Sequence, residues 1–573
     1  MKEAESITTE RVDDIPLLLA HMQRMGLAAL LDRHFPTHGN WQGLSLGAVT
    51  TIWLAHVLSQ GDHRMNHVQA WVEHRQETLR SCLGEPITGR DVNDDRLAEV
   101  LHELSDDEHW RAFEHELSGQ LLRVYDLQAQ CVRLDSTTAS SYASVTQQGL
   151  LQFGHSKDHR PDLPQLKVML ASLDPLGMPL ASEVLSGEHA DDPLYLPVIA
   201  RVQACLGRHG LLYVGDCKMA ALQTRARVHA SQDYYLCPLS ALVMSPEDVA
   251  QALAAARGSG EPLHVVERAG AQGSPERIAE GYEQAVPLSA VVEGQTITWT
   301  ERRFLVRSVA LAKASEQALQ RRLARAQSAL AQLLVPRRGK PRLTERAQVE
   351  QAVAALLADA RVEGLLDVTV HETVTEQPVR AYRGRAATVR LVRQFTLSSQ
   401  VNALTLEHAL AQLGWRVYAT NHDAAHLGLT QAVLGYRDEY LVERNFGRLK
   451  GHPLSLTPMY VERDDHATGL VRLLTIALRV LTLLEFVVRR RLAESGSVLS
   501  GLYAGNPKRA TAQPTAERLL EAFDEITLTV VTNPALCLRH LTPLSALQLC
   551  ILALLDLPPS LYTQLCADSF EPP

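Results

Sequence analysis

The chain has 573 residues and a formal net charge of −9. It is too long for one simple core, and its whole-chain average lacks the basic excess that phosphate binding leaves, although local basic surfaces can hide inside that average. Hydrophobic residues make up 46% and aromatics only 5%, which suits a helix-rich globular protein of roughly two to four domains. Eight scattered cysteines without a Cys-x-x-Cys pair exclude a zinc ribbon and a dense disulfide framework. The charged start MKEAESITTERVDD has no apolar signal core, so a cytoplasmic location is expected.

Residues 1–120 are predicted to form a helical N-terminal domain. IPLLLAHMQRMGLAALLDRHF carries apolar residues at helical spacing, LSLGAVTTIWLAHVLSQ starts another helix, and DVNDDRLAEVLHELSDDEHW offers Asn and Asp starts before apolar-periodic runs. The texture then changes. AQCVRLDSTTASSY reads as a strand ending at Asp135, and QLKVMLASLDPLGMPLASEVLSG as two strands around an Asp-Pro-Leu-Gly turn. A helix in PLYLPVIARVQACLG follows, then a short strand ending at Asp216, a helix, and a strand in DYYLCPLS. This β-β-β-α-β-α-β order over 125–240 predicts an α/β core, a mixed sheet flanked by helices.

Residues 241–425 read as a large insertion. It holds a helix in SPEDVAQALAAARG, a strand pair in QTITWTERRFLVRSVAL, a basic amphipathic helix in SEQALQRRLARAQSALAQLL, a basic loop in PRRGKPRL and a strand in WRVYATN. From 426 to 495 the chain is predicted to be helical again. ATGLVRLLTIALRVLTLLEFVV, 467–488, is long enough for a bilayer, but Arg472, Arg479 and Glu485 interrupt it. It reads as a core helix with one basic stripe, and no membrane is expected. SGSVLSGLYAGNPKRATAQPT reads as a linker before a helical C-terminal region, 515–573.

Asp135 and Asp216 both sit where an apolar strand is predicted to stop. Carboxylates at the ends of adjacent strands point into one crevice, the usual ligand site of open sheets. On local sequence alone each also reads as an ordinary turn or cap residue. In YRDEYLVERNFGRLKG, 436–451, the residues Tyr436, Glu439, Glu443, Phe446 and Lys450 fall on one stripe of a single predicted helix, with Arg437, Arg444 and Arg448 off it. A carboxylate on a protein-facing stripe needs a partner, and both an ion pair with a neighbouring arginine and a metal remain open. Three carboxylates without cysteine suit Mg²⁺ or Mn²⁺, and two such ions about 4 Å apart serve phosphoryl transfer.

GYRDEYLVERNFGRLKG resembles the signature of bacterial insertion-sequence transposases of the insertion-sequence-four superfamily, the group with a Tyr-Arg-Glu-Lys motif. Tyr436, Glu443 and Lys450 match in identity and spacing. LDSTTASSY, YVGDCKMAALQTR, GHSKDHRPDLPQLKV and GHPLSLTPMYVERDDHATGLVRLL resemble further segments of the family in the same order, over roughly 10–490. The resemblance implies an RNase H-like catalytic core in two parts, 125–240 and 426–495, with the insertion between the second and third acids. It implies an Asp135, Asp216, Glu443 triad holding two Mg²⁺ or Mn²⁺ ions, and cleavage and strand transfer at the ends of an insertion sequence. Tyr436 and Lys450 would then contact the DNA backbone. One departure stands out: the motif's arginine is Glu439 here, and an acid cannot clamp a phosphate, which leaves that role to Arg437 or Arg444.

Lys157, His159 and Arg160 are expected to contact DNA phosphates or to cap the loop after the first strand. His155 with His159, and His422 with His426, have the i, i+4 spacing of zinc ligands but lack the His-Glu-x-x-His glutamate. The basic stretches RRLARAQ, PRRGKPR and VVRRRL read as solvated faces or DNA contacts. No Walker A motif is present, so no ATP is expected. The expected partners are double-stranded DNA, at element ends and target, and a second copy of the chain in a homodimer on DNA associated with the bacterial nucleoid. The N-terminal domain would recognise the ends or dimerise. The competing readings are a catalytically inactive DNA-binding relic and a metal-dependent nuclease without strand transfer.

Overall fold

The structure is a computed structural model that describes residues 6–145, 147–269, 274–336, 342–380, 387–438, 440–533 and 536–566. The chain divides into two compact units. The first comprises Met1–Cys237, Leu288–Trp299 and Leu434–Pro573, the second Pro238–Pro287 and Thr300–Val433.

In the first unit, strand β1 (Ser6–Arg11) precedes a run of helices from Ile15–Arg24 to Asp107–Val124. The Asn and Asp starts act as read from the sequence. Asn93 accepts from the Arg96 amide at the head of Asp94–Ser105, and Asp106 from the His109 amide at the head of Asp107–Val124. The core strands follow: β2 (Cys131–Ser140), β3 (Gln165–Asp174), β4 (Met178–Ser186), β5 (Leu212–Gly215) and β6 (Tyr234–Pro238). Their order is β4-β3-β2-β5-β6. β2 to β4 form an antiparallel meander, whereas β5 runs parallel to both β2 and β6. A parallel step needs a crossover. Helix Tyr195–Leu206 supplies it between β4 and β5, and Leu222–Ala230 between β5 and β6. The arrangement is a mixed α/β core.

Three expectations are corrected. β2 does not stop at Asp135 but runs on to Ser140, because its polar half pairs with Gln165–Leu170 of β3. The terminal regions are not purely helical: β1 pairs with a C-terminal strand (Thr527–Asn533), which pairs with Leu536–Leu541. Leu528 and Val530 alternate inward there, the two-residue period of a strand. Finally, the stretch opening at Tyr436 forms two helices, Leu429–Arg437 and Tyr440–Lys450, rather than one. The Asp438 amide bonds back to Gly435, and the Leu441 amide to Asp438, which tightens both ends of the break.

Helix Asp464–Ser495 is the spine of this unit. Gly469 lets it approach closely: a Cβ there would lie 2.0 Å from the Leu101 carbonyl oxygen of helix Asp94–Ser105. The arginines of its expected basic stripe, Arg472 and Arg479, are buried and partnered. Arg472 donates to the Leu104 carbonyl at 2.9 Å and pairs with Asp107. Arg479, fully buried, donates to Glu114 at 2.6 Å and to the Pro179 carbonyl at 3.0 Å. Buried charges persist only when partnered this way. Among the described residues no single helix is long and apolar enough to cross a membrane.

The second unit holds β7 (His264–Ala269), the greater part of β8 (Pro275–Val292) and of β9 (Gln295–Ser308) and, after two further strands, Trp415–Thr420, which belong to one antiparallel set. The two further strands, β10 (Leu366–Val379) and β11 (Thr388–Val401), form a separate ribbon. The base of the ribbon shares an apolar core with helices Val309–Leu333 and Arg346–Asp359.

Candidate active site

The parallel pairing of β2 with β5 runs from Cys131–Leu212 to Leu134–Gly215. Asp135 and Asp216 are the next residues on each side. The register therefore sets the two aspartates side by side, at the point where β5 ends and β2 continues. Glycine at 215 fits the close packing there, since a Cβ would lie 2.8 Å from the Met219 sulfur. Both aspartates are partly accessible.

Each carboxylate is held. Asp135 Oδ1 accepts from the Ser136 amide at 2.7 Å. Asp216 Oδ1 accepts from the Tyr195 hydroxyl at 2.6 Å and from the Lys218 amide at 2.8 Å. Tyr195 begins the crossover helix and is buried. Burial raises its phenol well above the ordinary value, and the charge and hydrogen bond of Asp216, then the charges of Asp135 and Asp191, push the same way. Tyr195 is thus a fixed donor touched by the field of both aspartates.

Lys157 reaches the same place. Its Nζ lies 3.8 Å from Asp135 Oδ1 and 3.7 Å from Asp191 Oδ2, and it donates to the Ser136 carbonyl and hydroxyl at 2.6 and 2.8 Å. Asp191 is also gripped by Lys167 at 2.5 Å. Burial pushes the Asp191 carboxyl up, but the Lys167 hydrogen bond and the charges of Lys157, Lys167 and Lys218 outweigh it and hold the group below its usual value. Of the other expected contacts in this loop, Arg160 pairs with Asp162 at 2.8 Å, and His159 is exposed with a left-handed φ of 57°.

Helix Tyr440–Lys450 packs on β2. Lys450 donates to Thr137 at 2.8 Å and to Asp158 at 2.6 Å. Asn445 donates to the Gly177 carbonyl at 2.6 Å and to the Ser172 hydroxyl at 3.1 Å. Leu441, Val442, Phe446 and Leu449 are buried, whereas Glu443 is exposed. The expected protein-facing stripe holds at Tyr436 and Phe446, which are buried, but not at Tyr440 and Glu443, which are exposed. Glu443 and Lys450 are two turns apart on one face, about 10 Å along the axis, and Lys450 touches β2 two residues from Asp135. Arg444 turns inward to Glu485, which also receives Arg448 at 2.6 Å and Arg489 at 2.8 Å. Arg444 is thereby committed to the core rather than to the aspartate crevice.

Tyr436 closes the floor. With Arg133, Asp135, Val214, Gly215 and Val442 it lines a cavity of about 10 Å³. Arg133 anchors that segment by donating to the Gly435 carbonyl at 2.6 Å and to Asp174 at 2.9 Å. Arg437, next in sequence, is half-buried. Glu439 and the loop 337–341 within PRRGKPR lie outside the described residues.

The donor set at the crevice is all oxygen, the chemistry that suits Mg²⁺ or Mn²⁺. Asp135, Asp216 and Glu443 do not bring three carboxylate oxygens within 4.8 Å of one another; among the described residues only His422, Asp423 and His426 converge that closely. Asp423 there accepts from the His426 amide at 2.9 Å and ring at 2.8 Å, and the two histidine rings stack at 5.4 Å. His155 and His159 form no such cluster. Tyr195, Lys167 and Asp191 were not singled out in the sequence. The Asp-Asp-Pro helix start at 191–193 was the available signal.

The site thus has the layout of an open α/β sheet whose ligand crevice lies beyond a parallel strand end. A family model described as "Domain of unknown function (DUF4277)" matches residues 7–116. No curated protein matches the chain. Among solved structures, the chain is similar to a piggyBac transposase in a synaptic complex with hairpin DNA, at 8% identity and a TM-score of 0.34 over 88% of this chain and 76% of that one.

Proposed function

We propose that the chain is a divalent-metal-dependent DNA transposase with an RNase H-like core, cutting and joining strands at the ends of an insertion sequence. The observation that carries this reading is the parallel β2–β5 register, whose last pair, Leu134–Gly215, directly precedes Asp135 and Asp216. The motif resemblance around Tyr436, Glu443 and Lys450 supplies the reaction class.

In this reading Asp135, Asp216 and Glu443 would hold Mg²⁺ or Mn²⁺, which would supply charge neutralisation and activation of the attacking oxygen. The chain's own groups do the rest. Tyr195 donates to Asp216 and fixes its rotamer. Lys157, 3.8 Å from Asp135, partly offsets the negative charge of the aspartates and is the cation best placed to meet a phosphate. Lys450 stands braced by Thr137 and Asp158 on the face it shares with Glu443. The vacant phosphate role falls to Arg437 or Arg444.

The test is a Mg²⁺-dependent reaction on duplex carrying the DNA that flanks the gene. The wild type is expected to free a 3′-hydroxyl at the element end and to join it to target DNA. Glu443→Gln is expected to bind the same DNA and leave it intact. Cleavage without joined products would reduce the proposal to a nuclease. The relic reading draws on one observation, the failure of the three carboxylates to converge within 4.8 Å. Binding without cleavage by the wild type would favour it.

A further inference from the structure

The ribbon of β10 and β11 carries a face that its own unit covers only halfway. Directly paired residues share a face. Leu366–Val401, Val368–Ser399, Val370–Leu397 and Glu372–Phe395 form the near half of one face. Leu366 and Phe395 are buried there against the two long helices, with Val368, Val370, Leu397 and Val401 packed beside them. The same face continues through Val374–Arg393, Glu376–Leu391 and Pro378–Val389. Here the cover is gone: Val374 is 50% exposed, Leu391 58% and Val389 60%. The opposite face is mostly polar, with Thr373, Thr375, Gln377, Arg390 and Gln394 beside Val379 and Val392. From the last buried pair to the pair Val379–Thr388 the ribbon extends seven residues, about 24 Å.

Charge selects the occupant. Arg380, Arg390 and Arg393 are exposed on this outer half; Arg393 lies 3.4 Å from Glu372 and 3.8 Å from Glu345, Glu376 is the one acid of the outer pairs, and the sequence has no further Asp or Glu until Glu407. Two such tips packed against each other would bring like charges together. A polyanion would not. A two-stranded ribbon fits the major groove of B-form DNA, where aliphatic side chains meet thymine methyls and arginines meet guanine edges and phosphates.

We propose that the outer half of the β10–β11 ribbon is a duplex-DNA-binding arm, in which Arg380, Arg390 and Arg393 contact phosphates or base edges while Val374, Val389 and Leu391 lie in the groove. The proposal rests on the reading of this protein as one that acts on DNA, but it concerns a surface remote in sequence from the three acids.

The experiment measures binding of the full chain to a duplex of arbitrary sequence across a salt series, for the wild type and the triple variant Arg380→Ala, Arg390→Ala, Arg393→Ala. Each lost phosphate contact lowers the slope of log affinity against log salt by about 0.9. The triple variant is expected to lose a slope of about 2 to 3 and at least about tenfold in affinity at low salt. A triple Arg→Lys variant is expected to keep the slope, and a matching thermal melt shows that the fold is intact. An unchanged slope in the alanine variant overturns the arm while leaving the cleavage assay, and so the transposase reading, untouched. A second variant, Val389→Ser with Leu391→Ser, is followed by sedimentation. Loss of self-association with unchanged DNA binding would give the face to a second copy of the chain and overturn the proposal.

Discussion

Replacing Tyr195 by Phe removes one hydroxyl and nothing else from the crevice. The ring is buried, and phenylalanine keeps its volume, so packing is conserved. What disappears is the 2.6 Å donor to Asp216 Oδ1, while the 2.8 Å bond from the Lys218 amide remains. A hydrogen bond to a charged group contributes about 1.5–3 kcal/mol. Asp216 is partly accessible, so water replaces some of this, and the global stability change is expected to stay within about 1.5 kcal/mol. The cost falls on orientation. Removing a partner that orients a metal ligand typically costs about 10–100-fold in metal affinity or activity, equivalent to about 1.4–2.8 kcal/mol. The assay titrates cleavage of flanking duplex against Mg²⁺. Tyr195→Phe is expected to shift the half-maximal Mg²⁺ concentration upward by that factor, with a near wild-type melting curve. An unshifted Mg²⁺ requirement would refute the assignment of Tyr195 as the residue that positions Asp216.

Other consequences are independent of catalysis. Glu114 is fully buried and receives Arg479, Arg201 and the Ser182 hydroxyl; Glu114→Gln leaves the buried Arg479 without its counter-charge, while Arg201 keeps Glu183 at 2.7 Å, and is expected to cost about 3–5 kcal/mol in a urea melt. Gly469→Ala drives a methyl into the Leu101 carbonyl and is expected to cost about 1–3 kcal/mol in the same experiment. Burial pushes the Asp14 carboxyl up to about 7, opposed by its hydrogen bond to Ser59. A raised folded-state value means that the folded protein holds the proton longer, so the contribution of Asp14 is complete below about pH 4 and is lost as pH rises to about 7. Asp14→Asn is expected to remove that decline, on the order of 4 kcal/mol across the window. His21, which burial pushes down to about 4, slopes the other way, so the readout is the difference between variant and wild type. Identical pH profiles would contradict the assignment.

The order of the core elements was legible because Leu- and Val-rich runs stop at Asp135, Asp174 and Asp216, and turn residues separate them. The extent of β2 was not. Ser136 to Ser140 are small and polar, and they become a strand only through pairing with Gln165 to Leu170 of β3, which is tertiary context. The C-terminal strands do carry a period of two in TLTVVTN, but the flanking helical runs hid it. Helical periodicity runs unbroken through 436–450 in the sequence, although one helix ends at Arg437 and the next begins at Tyr440. Of the site, the two aspartates were readable as strand ends. Tyr195, Lys167 and Asp191 were not, because it is the pairing of β3 with β2 and the return from β4 through the crossover helix to β5 that bring them to the same crevice.

The most direct test of the central claim is Mg²⁺-dependent nicking of flanking duplex by four proteins: wild type, Asp135→Asn, Asp216→Asn and the double variant. If the aspartates act as one unit, each single variant falls to the floor set by the double variant, with no additivity. Wild-type nicking by either single variant, or losses that simply multiply, would contradict the account.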